Sequence, residues 1–183
     1  MKKFLMTIVA AFAAVSMNAQ VYVGGGLGFA TQSYDGESST KFALVPEVGY
    51  TLDENSAIGI AIGYSQSGKD DTKATKMVVN PYYRYNLTKI GNVNLFVDGS
   101  FAFATTDDKT NKIGGKSYKI NEWGIGVKPG VAVNLNEKLS FVSHLGFLGY
   151  ESSKADYDGA KATNTFGFDF SSLNLTFGLY YNF

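Results

Sequence analysis

The sequence predicts an all-β protein, an eight-stranded antiparallel up-and-down transmembrane β-barrel with short periplasmic turns and longer external loops. Three observations predict this fold class. Apolar and polar side chains alternate along eight segments, the connections between them alternate in length, and no segment has helical periodicity. The composition agrees, because 21 glycines, 12 tyrosines and 14 phenylalanines stand beside only 17% charged residues.

The alternation is clearest in residues 173–183. One face carries Leu173, Leu175, Phe177, Leu179, Tyr181 and Phe183, and the residues between them are Asn174, Thr176, Gly178, Tyr180 and Asn182. An unbroken apolar face opposite a largely polar or small face suits a wall between lipid and lumen. This segment is therefore predicted to be the last strand of the barrel.

The same period-two test divides the rest of the chain. The predicted strands are approximately 20–31, 41–52, 58–64, 76–87, 93–104, 122–135, 139–150 and 173–183. The connections at 53–56, 88–92 and 136–138 are short, whereas those near 32–40, 66–75, 105–117 and 151–165 are longer and polar. This asymmetry places the short turns and both termini on the periplasmic side.

The three prolines indicate a repeated hairpin plan. Pro46, Pro81 and Pro129 each stand six residues before a leucine at the end of an even-numbered predicted strand. Proline removes a ladder donor, so each one could mark a turn or a bulge. A bulge is preferred, because the alternation keeps its phase across all three prolines.

Residues 1–19 are predicted to be a cleaved signal peptide, which leaves 20–183 as the barrel domain. A basic start, Met1 to Lys3, precedes an apolar run of twelve residues, Phe4 to Val15, and a more polar exit. Cleavage is expected after Ala19, with Ser16 as the alternative because the larger Met17 lies three positions back from the first site. Twelve apolar residues are too few for a transmembrane helix, which is the less favoured interpretation.

Charge and cysteine content exclude several classes of partner. Removing residues 1–19 takes away two lysines and leaves 14 basic against 16 acidic residues, so nucleic acid is not an expected partner. The chain has no cysteine, which excludes disulfides and lipid attachment to a cysteine.

Four segments carry a resemblance to a known family. PEVGY (46–50), PYYRY (81–85), NLFVDGSFAF (94–103) and LTFGLYYNF (175–183) resemble the outer-membrane protein β-barrel domain family, small porin-like proteins with the architecture of OmpX and the OmpA membrane domain. The resemblance covers 20–183 and implies a barrel in the outer membrane of a Gram-negative bacterium, in contact with lipid and lipopolysaccharide. It implies no single activity.

The resemblance also bears on assembly. The C-terminal strand is similar to the signal strand that the barrel-assembly machinery reads, which implies an assembly signal at Phe177, Tyr181 and Phe183. A monomer is expected.

Four charged residues are predicted to point into the lumen: Glu47, Arg84, Asp98 and Lys128, whose charges sum to zero. Buried charges need partners. Two schemes satisfy all four, Glu47–Arg84 with Asp98–Lys128, or the exchanged set. The preferred interpretation is a structural ion network that fills the bore, and the alternative is a gate in which exchange between the schemes opens a narrow path.

Catalysis and metal binding are not expected. The only histidine, His144, has inward parity, whereas its neighbour Ser143 points outward, so the two cannot form a dyad. The loop acids lack the spacing of a calcium site. The sequence therefore predicts that the protein is not an enzyme and holds no cofactor.

Aromatic residues on the outward face form two predicted girdles. One contains Tyr50, Tyr85, Tyr181 and Phe183, and the other contains Phe29, Phe42, Tyr64, Phe103, Trp123 and Phe147. The alternative is a soluble barrel or sandwich with these rings in its core, which the terminal aromatic and the size of the apolar set oppose. Phe166, Phe168 and Phe170 have the opposite parity to Leu173, which predicts a bulge near Ser171 and Ser172.

Two functions remain open at this point. In the first, a filled barrel acts as a structural or surface-interaction protein, with Tyr34, Tyr118 and Tyr157 as contact groups on its external loops. In the second, the barrel is a narrow porin-like channel for ions or small solutes, gated by the interior charges. The neutral interior network favours the first function.

Overall fold

The computed structural model describes residues 20–34, 37–68, 73–113, 116–169 and 175–183. The predicted signal peptide and the predicted bulge at Ser171 and Ser172 lie outside the described residues. The described part contains ten β-segments: β1 (Val21–Tyr34), β2 (Glu37–Thr51), β3 (Ser56–Gly68), β4 (Ala74–Ile90), β5 (Val93–Ile113), β6 (Lys116–Asn134), β7 (Leu139–Leu145), β8 (Phe147–Ala155), β9 (Thr163–Asp169) and β10 (Leu175–Asn182). Within these ranges no helix has the length and apolarity to cross a membrane.

The segments form a closed eight-stranded antiparallel barrel, which confirms the predicted fold class. Neighbours in sequence pair from β1 to β6, and β1 closes the ring on β10, with Tyr22 opposite Asn182. Segments β7 and β8 both pair with β6 and form the seventh barrel strand, interrupted at Gly146. Segments β9 and β10 pair with β8 and β7, and they form the eighth strand.

The external connections differ from the predicted loops. Pairing between β1 and β2 continues to Tyr34 and Glu37, and pairing between β5 and β6 continues to Ile113 and Lys116. Much of the sequence near 32–40 and 105–117 therefore extends the hairpins instead of forming irregular loops. Polar residues that favour loops can still form the backbone hydrogen bonds of an antiparallel ladder when the two strand extensions have the same length.

The outward face carries the predicted apolar surface. Tyr50, Tyr64, Tyr85, Phe103 and Trp123 are each more than a third exposed in the isolated chain. The side chain of Phe29 lies outside the described residues. The placement of Phe147 in the outer girdle was wrong, because its side chain points into the lumen.

Gly146 explains the position of Phe147. Gly130 pairs with His144, and Val127 pairs with Leu148. Between these two pairs β6 advances by three residues and the seventh strand by four, so the seventh strand contains one extra residue. The extra residue is accommodated at Gly146, whose φ of 126° favours glycine. Side-chain parity therefore reverses between β7 and β8.

The prolines do not cause the predicted bulges in their own strands. The register between β2 and β3 runs unshifted from Leu44 to Glu47 across Pro46. Instead, Pro46 lies opposite Gly25, which has a φ of 147°, where an added Cβ would collide with the backbone of Val45. The unusual backbone conformation near Pro46 therefore lies at Gly25 in the neighbouring strand β1.

The predicted change of parity in the eighth strand is confirmed. Phe166 and Phe168 pair with Tyr150 and Leu148 and are 77% and 64% exposed, so their side chains point outward. In β10, the outward residues have odd numbers, beginning with Phe177. Phe170 lies outside the described residues.

Candidate functional site

Buried polar and aromatic side chains cross the lumen in its periplasmic half. We call this group the interior layer, and it consists of Tyr22, Glu47, Tyr82, Arg84, Phe96, Asp98, His144 and Tyr180. Six segments supply these residues, because period-two alternation brings one or two inward side chains from each segment to a similar depth. Three of the four predicted network residues belong to the layer.

Arg84 and Asp98 form the central ion pair. They lie directly opposite each other on β4 and β5, where Arg84 Nε and Nη2 each donate a hydrogen bond of 2.8 Å to one oxygen of Asp98. The fork geometry of arginine matches a carboxylate in this way. Asp98 is only 2% exposed, so the pair is shielded from water.

The second acid, Glu47, faces Arg84 from across the bore. Arg84 Nη2 lies 3.8 Å from Glu47 Oε1, so a single guanidinium compensates two carboxylates. Tyr180 donates a hydrogen bond of 2.6 Å to Glu47 Oε2, and Tyr82 donates one to Glu47 Oε1. Because the hydroxyl proton of Tyr82 is used in this way, Tyr22 must donate in the 2.6 Å bond between the two tyrosine hydroxyls.

His144 completes the contacts of Asp98. Its Nε2 lies 2.8 Å from Asp98 Oδ2, and its ring meets Phe96 edge to face with centroids 5.4 Å apart. The sequence contains one histidine and one arginine, and both bind the same carboxylate. The predicted hydrogen-bonded lumenal histidine is thus present, although its partner was not predicted.

Aromatic rings surround the guanidinium of Arg84. Its Cζ lies 4.0 Å from the ring centroid of Phe96, and the rings of Tyr82 and Tyr180 lie 5.3 Å and 5.7 Å away. Cation–π attraction in a desolvated site contributes about 2 kcal/mol. The rings therefore stabilise the positive charge of Arg84, which compensates Glu47 and Asp98.

Glycines on adjacent strands make room for the rings of the interior layer. An added Cβ would collide with a ring at each of four positions: Gly49 with Tyr22, Gly59 with Tyr82, Gly130 with Phe96, and Gly24 with Tyr180. A small barrel can hold large interior groups only where neighbouring positions are small. The glycines of the inward face therefore provide the space that the four rings occupy.

Lys128 does not follow either predicted pairing scheme. It lies opposite Asp98 on β6, but Asp98 is already held by Arg84 and His144. In the described residues, Lys128 makes no ion pair with a carboxylate, and its Nζ lies 5.9 Å from the ring of Phe147. The Arg84–Asp98 pair of the exchanged set is present, but neither scheme is complete, because the guanidinium of Arg84 compensates both acids and Lys128 forms an ion pair with neither.

Two cavities lie toward the external end of the interior layer. One has a volume of about 410 Å³ and is lined by Glu47, Asp98 and His144, among others. The other has a volume of about 380 Å³ and reaches Lys76 and Glu122, which form an ion pair of 2.5 Å. Lys128 lines both cavities and therefore stands between them.

The predicted assembly-signal residues lie on the outward face of the last strand or at its end. Phe177 stacks on Phe141 with ring centroids 5.7 Å apart, and Tyr181 contacts Phe183 edge to face at 5.1 Å. Phe177 is 54% exposed in the isolated chain. These contacts order the aromatic stripe next to the seam where β10 meets β1.

Two of the three predicted contact tyrosines are brought together at the external end. The rings of Tyr118 and Tyr157 meet edge to face with centroids 5.0 Å apart. The side chain of Tyr34 lies outside the described residues. Across the described ranges, no group of three or more His, Cys, Asp and Glu residues could hold a metal ion.

The closed barrel, its apolar outer face and its polar interior define an integral membrane β-barrel. Residues 4–183 match the family described as the outer membrane protein beta-barrel domain, and the chain belongs to this family. Family membership places the protein in the outer membrane. No curated protein sequence matches the chain.

The solved structures to which the chain is similar include three bacterial proteins. Neisserial surface protein A is 15% identical, with a TM-score of 0.52, over 89% of this chain and 97% of that one. The translocator domain of the autotransporter NalP from Neisseria meningitidis is 11% identical, with a TM-score of 0.44, over 100% and 95%. A major outer membrane protein from Thermus thermophilus is 17% identical, with a TM-score of 0.44, over 90% and 98%.

Proposed function

We propose that this protein is a structural or surface-interaction barrel that acts through its external hairpins and loops, with a lumen closed by the interior layer. One observation carries the proposal: a guanidinium, two carboxylates, an imidazole and four rings contact one another across the bore. Opening a path there requires separation of buried charges, which costs several kcal/mol. A barrel with a closed lumen does not conduct solutes, so we infer that it acts through its external surface.

The proposal includes export and assembly. Residues 1–19 would be removed as a signal peptide, and the aromatic stripe of Phe177, Tyr181 and Phe183 would be read by the barrel-assembly machinery. The mature barrel would be a monomer surrounded by lipid and lipopolysaccharide. The family and the apolar C-terminal strand support export and assembly of this kind.

The proposal excludes catalysis. His144 Nε2 is held by Asp98, and Asp98 also receives the two hydrogen bonds of Arg84. A general base needs an imidazole directed at a nucleophile, whereas this imidazole is attached to a structural ion pair. The arrangement fits a packing role for His144.

A narrow gated channel is the second candidate. It is favoured by the position of Asp98, which lies directly opposite both Arg84 and Lys128 on its two neighbouring strands. Exchange of Asp98 from Arg84 to Lys128 would loosen the interior layer next to the two cavities. The exchange must also break the hydrogen bond from His144 to Asp98.

Planar-bilayer recordings of refolded residues 20–183 distinguish the two functions. We expect silence from protein whose heat-dependent gel shift shows an intact barrel, because the buried ion pairs and rings of the interior layer cross the bore. Discrete openings of the wild type would contradict the proposal. If the gate operates, Arg84→Ala should increase the open probability, and Lys76→Ala at the external ion pair should not.

A further inference from the structure

We propose that the external end of the barrel carries a binding site for neutral carbohydrate, in a pocket between β6 and the turn that follows β8. This inference rests on the proposed surface function and deepens it. The pocket has a volume of about 740 Å³, which lies in the range of small-molecule sites. We call it the external pocket, and Tyr118, Asn121, Lys154, Asp156, Tyr157 and Asp158 are among the residues that line it.

The external pocket is held in place by backbone hydrogen bonds. Pairing between β6 and β8 continues to Ile120 and Ala155, directly below the pocket. Asp156 N then donates to Lys119 O at 2.7 Å, which ties the base of the turn to β6. Ala160 N donates to Tyr157 O at 3.2 Å, and Gly159 adopts a φ of 85° that closes the turn. Such preorganisation lowers the entropy cost of binding.

Local hydrogen bonds also order the extension of β5, the segment whose last residue, Ile113, lines the pocket. On the extension of β5, Asp108 accepts hydrogen bonds from the side chain and the backbone of Thr110, at 2.6 Å and 2.8 Å. These bonds lower the pKa of Asp108, with the side-chain bond as the larger cause.

The tyrosine pair supplies an apolar contact of the kind that sugars use. The planes of Tyr118 and Tyr157 differ by 64°, so the two rings form a corner. Pyranose rings have C–H faces that pack on aromatic rings, while their hydroxyls remain free to hydrogen-bond. Tyrosine suits such contacts, because its ring packs on apolar groups while its hydroxyl can hydrogen-bond to water or to the ligand.

The polar lining selects the class of sugar. Asp156 and Asp158 offer carboxylate oxygens that accept hydrogen bonds from hydroxyls, and Asn121 offers both a donor and an acceptor. One lysine faces two aspartates in this lining, so the local charge is negative. An acidic sugar or a phosphate would be repelled. The geometry points to a neutral oligosaccharide.

The test uses the refolded mature chain in detergent micelles on a panel of immobilised neutral and acidic oligosaccharides. Saturation-transfer NMR with lactose, maltotriose and N,N′-diacetylchitobiose follows in solution. We expect binding to at least one neutral oligosaccharide and, for Tyr118→Ala and Tyr157→Ala, a loss of affinity of about tenfold each. Tyr64→Ala is the matched control, because Tyr64 lies on the outward face of β3 outside the pocket lining.

The outcomes separate this inference from the proposed function. Absence of neutral-sugar binding, preference for acidic sugars, or unchanged binding by both pocket variants would overturn the carbohydrate site. A silent bilayer trace together with sugar binding that the pocket variants retain would leave the surface function standing and move the site elsewhere. Discrete channel openings would contradict the proposed function whatever the sugars do.

Discussion

Arg84→Ala is expected to lower the free energy of unfolding of the barrel by about 3–5 kcal/mol. The substitution removes the only guanidinium that compensates Asp98 and Glu47, and both acids remain buried. It also removes the cation that packs on Phe96. Urea unfolding of barrels refolded in lipid vesicles, followed by the fluorescence of Trp123, measures the change.

Lys76→Ala is the control for this prediction. Lys76 and Glu122 form an ion pair of 2.5 Å, but their side chains are 41% and 34% exposed. Exposed pairs contribute about 0–1 kcal/mol, so the control should unfold nearly as the wild type does. Equal losses for the two variants would show that the interior layer is as well solvated as the surface.

Gly59→Val is expected to destabilise the barrel by about 1–3 kcal/mol, because the new side chain must displace the ring of Tyr82. Displacement of this ring also breaks the hydrogen bond from Tyr82 to Glu47. The same urea titration measures the effect.

Gly167→Val provides the comparison for the glycine prediction. Gly167 also faces inward, on β9, and nothing lies within 4 Å of an added Cβ there. Valine favours strands, so this variant should be neutral or slightly stabilising. A neutral result at Gly59 would mean that the glycine does not make room for the ring.

The face of each strand was predictable from the sequence because alternation is a local property. Parity alone placed Glu47, Arg84 and Asp98 in the lumen, and counting from the short turns gave their similar depth. The reversal at Gly146 was not predictable, because it comes from one inserted residue opposite the stretch of Lys128 and Pro129, which changes the side-chain parity of β8. Phe147 was misplaced for this reason.

The contacts within the interior layer required the structure. The sequence indicated four interior charges of zero sum, but pairwise reasoning divided them into two bridges. It did not anticipate that Tyr82 and Tyr180 satisfy Glu47 and thereby free one guanidinium to serve two acids. The single arginine and the single histidine were the signal that could have drawn attention to Asp98.

Hydrogen exchange at Arg84 tests the closed lumen most directly, because Arg84 is the only arginine and its Nε–H gives one signal without assignment. In ¹⁵N-arginine-labelled barrel in nanodiscs, we predict a single Nε–H resonance that persists for hours in D₂O, since this group donates to Asp98 inside a closed layer. Loss of the resonance within the dead time, as for a solvent-exposed arginine, would contradict a closed lumen.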